Sequence, residues 1–329
     1  MLEPFNRRHG VQVDAETLLS DAGTVAALAH GDYRHWDVLN INNAYVCDYL
    51  SPLGLTNPLD EACLSGFAAS PLAGFERQKG WTQSPDGTLI GVCQRFGPFN
   101  LVVNNRRIDT GSAEDQGFAL AADPAHRHRF GILEYDDFNL FHLCIAAGLN
   151  PYESLDAAQE RLVEQVARSW YESALLASDN HHVLKRALID GDIDFYLIGG
   201  VYMVSPTRLA GHTHLRAVTP RRGPIDGRGG IAFTEVTSVL QHADTSPLAQ
   251  TFLAYLLEPE TAIRAAFVEG TCNPVAQMGE PCVFNAAAGS YPVGQSTRGR
   301  VTMRGLPTHA ESRLFAHAAT GGSSACAVA

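Results

Sequence analysis

Gly229–Leu240 reads GGIAFTEVTSVL. Two glycines lead into a run that is mostly apolar or β-branched, the pattern of a buried strand. Glu235 sits inside that run, two residues after Phe233. A carboxylate is expensive to bury without a partner. The stretch therefore predicts a core strand and a positive charge that Glu235 meets.

Elements on either side set the fold class. ETLLSDAGTVAALAHG (16–31) predicts a helix closed by glycine, and DVLNINNAYV (37–46) a short strand running into polar residues. LIGVCQRFGPFNLVVNNRRID (89–109) reads as strand, turn, strand. SLDAAQERLVEQVARSW (154–170) is the clearest helix, with Leu155, Ala158, Leu162, Val166 and Trp170 on one face and Ser154 as N-cap. ALIDGDIDFYLIGG (187–200) gives a helix end, a turn and a strand. SPLAQTFLAYLLEPETAIRAAFVEG (246–270) predicts two helices, with Pro259 in the first turn of the second and Gly270 as its cap. Strands alternating with helices predict an α/β protein with largely parallel sheets. The small, polar tail ATGGSSACAVA is expected to be disordered.

Composition narrows the function. The chain of 329 residues carries a net charge of −11, which disfavours nucleic acid or an anionic membrane as the main partner. No apolar run approaches the roughly 20 residues that span a bilayer. The seven cysteines are scattered and form no C-x-x-C pair, so neither a disulfide framework nor a zinc site is expected. The opening MLEPFNRRHG is not a signal peptide. The expectation is a periplasmic protein if a leader was removed or lies upstream, and a cytoplasmic one otherwise.

Motifs for cofactor chemistry are lacking. There is no P-loop, no G-x-G-x-x-G fingerprint and no G-x-S-x-G elbow, so no cofactor is expected. The pairs His181–His182 and His212-x-His214 lack a metal-binding context and read as surface or capping residues. Glu134, Asp136 and Asp137 precede an apolar helix, where acidic N-capping is the ordinary role.

Four stretches, taken in order, resemble the polyamine (spermidine/putrescine) periplasmic solute-binding proteins of ABC importers. They are YRHWDVLNINNAYVCDYLSPLGLTNPLD (33–60), QRFGPFNLVVN (94–104), ALIDGDIDFYLIGGVYMVS (187–205) and GGIAFTEVTSVLQHADTSPLAQTFLAYLLEPETAIRAAFVEGTCNP (229–274). The last is the best match. The resemblance implies a type II periplasmic-binding-protein fold of two lobes, each a mixed sheet flanked by helices, with the ligand cleft between them. It implies lobe 1 at residues 1–100 and 232–329, lobe 2 at 101–231, and hinge strands near Leu101–Asn104 and Ile231–Glu235.

The resemblance also implies a site. Glu235 falls where the family has an aspartate that binds a ligand ammonium, and Phe233 where a tryptophan packs on the ligand. Asp136 falls on a second family acid, Asn42, Asn43 and Tyr45 on the polar loop of the first lobe, Phe96 on another tryptophan and Thr271 near a tyrosine. Asn139 replaces a second acid. The family's first strand and part of its aromatic box are missing, so a small cationic ligand, polyamine-like or amino-acid-like, with one cationic and one polar end is expected rather than a long polyamine. An ABC permease is the implied partner. The alternative is a cytoplasmic biosynthetic enzyme on the same fold, with Glu235 or Asp136 as general base, assisted by His212 or His214.

Overall fold

A computed structural model of the chain describes residues 2–16, 21–31, 35–64, 79–258, 260–262 and 264–265. Pro259, Gly270, Thr271 and the C-terminal tail lie outside the described residues.

The strands are β1 (Val38–Asn42), β2 (Val92–Asn104), β3 (Phe130–Leu133), β4 (Leu176–Ser178), β5 (Phe195–Gly200), β6 (Leu215–Val218) and β7 (Ala232–Val239). The helices are α1 (Leu2–His9), α2 (Asp21–Ala29), α3 (Asn43–Tyr45), α4 (Lys79–Thr82), α5 (Thr110–Gln116), α6 (Asp136–Ala146), α7 (Ala157–Ser173), α8 (His181–Asp190), α9 (Val201–Leu209) and α10 (Ala249–Leu256). The sheet order is β1-β7-β2-β5-β3-β4, with β6 also on β2. This is a mixed α/β fold. Only β3–β4 and β3–β5 are parallel; β1–β7, β2–β7, β2–β5 and β2–β6 are antiparallel. The expectation of largely parallel sheets fails because β2 and β7 run against their neighbours.

The segment read as strand, turn, strand is one 13-residue strand, β2. Its Val92–Pro98 half pairs with β7, and its Phe99–Asn104 half pairs with β5 and β6. Gly97 and Pro98 mark that handover and not a reversal of the chain. A Cβ on Gly97 would lie 3.1 Å from the Phe233 ring and 3.2 Å from Val201. Two sets of apolar cores follow the division. Phe130, Ile132, Phe195, Leu197 and Trp170 pack with the second half of β2, while Leu39, Ile41, Cys93, Phe96 and Val236 pack around the first half.

Helix α7 starts later than its sequence suggests. Asp156, not Ser154, is the N-cap, and Gln159 completes a capping box with it. The buried side is Val163 and Trp170, with Val166 packed against the same core, while Leu162 is 39% exposed. Helix α2 begins at Asp21, with residues 15 and 16 non-helical before it.

The predicted strand of the opening stretch is β7, buried along almost its whole length. The preceding glycines are required by close approach. A Cβ on Gly229 would fall 2.1 Å from the Arg222 carbonyl oxygen, and backbone cannot swing aside as a side chain can. Gly229→Ala is expected to lower the unfolding free energy by about 1–3 kcal/mol, measured by urea denaturation. A change below about 0.5 kcal/mol, the range of an ordinary surface substitution, would contradict that packing.

Candidate functional site

The site grows out of one row of side chains across three strands. In the β1–β7 pairing Asn42 lies opposite Glu235, and in the β2–β7 pairing Arg95 lies opposite Glu235. Residues directly opposite on antiparallel strands share a face. Asn42, Glu235 and Arg95 therefore stand side by side. One step along the same face come Asn40 and Thr237, and one step the other way Gly97 and Phe233.

The charge that Glu235 meets is in the chain itself. Arg95 Nε donates to Glu235 Oε2 at 2.5 Å, and Asn40 Nδ2 donates to the same oxygen. The Glu235 side chain is 12% exposed and that of Arg95 31% exposed. Asn40 is in turn held by Thr237, whose hydroxyl also contacts Gln94 Oε1, both at 2.8 Å. Asn42 Nδ2 donates to the Asp21 carboxylate at the start of α2. Asn42 Oδ1 and Asn43 Nδ2 are buried with no hydrogen-bond partner among the described residues, an uncommon state for interior polar atoms.

The other half of the sheet contributes aromatic rings. Phe99, at the handover in β2, lies edge-on to Tyr135, Phe138 and Phe233, at 5.6, 5.0 and 6.1 Å between centroids. Tyr202, one residue into α9, lies 5.7 Å from Phe233 and 6.3 Å from His181. Burial raises the Tyr202 phenol well above its ordinary pKa; the Glu235 charge adds to this and Arg95 opposes it. Tyr202 is thus a neutral phenol within electrostatic reach of both charges. Burial lowers His181 to about 4, with help from His182 and Lys185, so its imidazole is neutral at pH 7.

The structure brings together Asn42, Phe233 and Glu235 from the expected set. Phe96 lies opposite Thr234, on the other face of the strands, and packs with Tyr45 in the core with Leu39 and Ile41. Asn43 opens α3 and is buried. Asn139 accepts from the Tyr135 N–H at 2.6 Å and donates to the Leu133 carbonyl at 3.1 Å, so its amide closes the start of α6. Asp136 is the first residue of α6; its side chain, like all of Thr271, lies outside the described residues. His212 and His214 follow the C-terminal end of α9, while Tyr202 lies near its N-terminal end, about 10 Å away along the axis.

Sequence reading missed Arg95, Asn40 and Tyr202. One signal was present for Arg95. An arginine between apolar residues of a strand needs a buried acid for the same reason that Glu235 needs a base. Among the described residues no group of three or more His, Cys, Asp and Glu is placed to hold a metal ion. Among them, too, no helix is long and apolar enough to cross a membrane.

No family model matches the chain, and no curated protein matches it in sequence. Solved structures do match in shape. A spermidine/putrescine ABC transporter substrate-binding protein, PotD, from Streptococcus pneumoniae aligns with a TM-score of 0.67 at 15% identity, over 97% of this chain and 94% of its own. The binding protein AgtB of A. tumefaciens R10, solved with agropinic acid, gives 0.68 at 16% identity over 97% and 90%. A Listeria monocytogenes protein described as a spermidine/putrescine ABC transporter gives 0.70 at 14% identity over 93% and 88%.

Proposed function

We propose, from the two-lobed type II periplasmic-binding-protein fold that those likenesses carry, that the chain is a solute-binding protein. It closes over a small ligand bearing an amine and hands it to an ABC permease outside the cytoplasm. Residues 1–100 and 232–329 form one lobe and 101–231 the other, with β2 and the segment entering β7 as the hinge. Closure of this kind is a known motion of binding proteins of this class.

One observation carries the reading. A row of polar groups, Asn42, Glu235 and Arg95, lies where β2 passes between the two halves of the sheet, and Tyr202 and Phe233 flank it from the second half. Glu235, helped by Asn42, takes the ammonium as a charge-assisted acceptor. Phe233 and Tyr202 supply ring faces. Tyr45, Phe96 and Asn139 support the frame. The likeness to solute-binding proteins favours binding over catalysis.

Thermal unfolding against putrescine, spermidine, arginine, histidine, γ-aminobutyrate and neutral amino acids tests this. A ligand at 100 times its Kd adds about 2.7 kcal/mol, which at this chain length raises Tm by about 3–5 °C. The shift is expected to vanish in Glu235→Gln, with circular dichroism unchanged. A Glu235→Gln protein that binds as tightly as the wild type would remove the amine-site assignment.

A further inference from the structure

We infer that the cleft recognises a zwitterion, with Arg95 holding the ligand carboxylate while Glu235 and Asn42 hold its ammonium. The inference rests on the solute-binding reading above and names its substrate class.

Arg95 makes a purely cationic ligand a poor fit. An ammonium reaching Glu235 comes next to the guanidinium already on Oε2, and that approach is repulsive. A carboxylate on the same ligand replaces the repulsion with a charge-assisted bond. A guanidinium carries five N–H donors in a fixed fork, and a carboxylate takes two of them at once. Arg95 is also the more accessible partner, its side chain 31% exposed against 12% for Glu235. It can thus be approached from the cleft while it stays paired.

Two buried atoms point the same way. Asn42 is more than nine-tenths buried, its Nδ2 is on Asp21, and its Oδ1 has no partner among the described residues. It is an acceptor in the row of Glu235, placed for an N–H of an ammonium. Asn43, equally buried, has an Nδ2 with no partner among them, a donor suited to a carboxylate. An orphan acceptor in the row of one acid and one base, with an orphan donor on the next residue of the chain, is complementary to a group holding both an ammonium and a carboxylate. Tyr202, kept as a neutral phenol, adds a hydroxyl that serves either end.

Calorimetric titration of matched pairs separates the two ligand classes. Each pair is an α-amino acid and the amine lacking its carboxylate: ornithine with putrescine, and leucine with isopentylamine. At least one amino acid is expected to bind tighter than its amine by about 10- to 100-fold, the worth of one charged hydrogen-bonded pair. Arg95→Ala levels that preference, and Arg95→Lys, which keeps the charge and loses the fork, restores part of it. If Arg95→Ala does not fold, Arg95→Gln, which keeps a donor for Glu235 and loses the charged fork, carries the same comparison. An amine that binds as tightly as its amino acid, or a preference unchanged in Arg95→Ala, overturns the inference and leaves the solute-binding reading standing. A protein that takes no member of the panel and co-purifies with no small molecule overturns both.

Discussion

Asn100→Ala is expected to lower the unfolding free energy by about 2–4 kcal/mol, from lost hydrogen bonds and a small cavity. Asn100 is 1% exposed and sits where β2 leaves β7. Its Oδ1 accepts from the Ile231 N–H at 3.0 Å, and its Nδ2 donates to the Ile231 carbonyl at 3.1 Å and the Thr219 hydroxyl at 3.3 Å. Ile231 is the residue before β7. One side chain thus clamps the two segments of the proposed hinge. The Ile231 carbonyl keeps the Phe99 N–H at 3.0 Å, so the substitution leaves chiefly the Ile231 N–H buried and unpaired. Urea denaturation reads the loss as a lower midpoint at unchanged slope. A loss under about 0.5 kcal/mol would mean that water or backbone shift replaces the clamp.

That clamp shows what one dimension of sequence conceals. The stretch 229–240 is legible as a strand because its apolar run is a local property. The Gly97–Pro98 pair is read as a turn because its usual conformations are local too. Here a Cβ on the glycine would press on the Phe233 and Val201 side chains, which lie far along the chain and would have to give by a few tenths of an ångström. The strands alternating with helices show the α/β class, whereas the direction of β2 and β7 depends on partners that local patterns do not name.

The site was half legible for a related reason. Glu235 announces a missing cation by being charged within a buried run. Arg95 answers it from 140 residues away. Alternation along β2 cannot show that the two share a face, because the pairing slips between Cys93 and Arg95. Gln94 is the extra residue there, and one extra residue reverses every side chain beyond it. The same slip sends Phe96 into the core and sets Gly97 opposite Phe233, next to the polar row. Asn139 is the opposite case. The resemblance puts it in the ligand site, whereas its amide accepts from the Tyr135 N–H and donates to the Leu133 carbonyl, a local contact at the start of α6.

Phe195→Ala is expected to have the largest effect on stability, about 3–5 kcal/mol, because the ring is replaced by a cavity. Phe195 is fully buried in β5, where it lies opposite Val103 of β2 and Phe130 of β3. Its ring stacks on Phe130 at 5.2 Å and 11°, and His126 meets it edge-on at 5.5 Å. A backbone shift that filled the void would have to move both neighbouring strands, so little relaxation is open to it. The effect also tests the proposed division at residues 101 and 231. Phe195 belongs to the core shared by β3, β5 and β6, while the β1–β7 pair buries a separate cluster around Leu39, Ile41 and Val236. Hydrogen exchange of the variant is expected to quicken most in β3 and β5 and least in β1, since local opening follows local stability. Equal loss of protection in β1 and β5 would mean that the two cores unfold as one unit, and the hinge would then join halves that cannot lose structure independently.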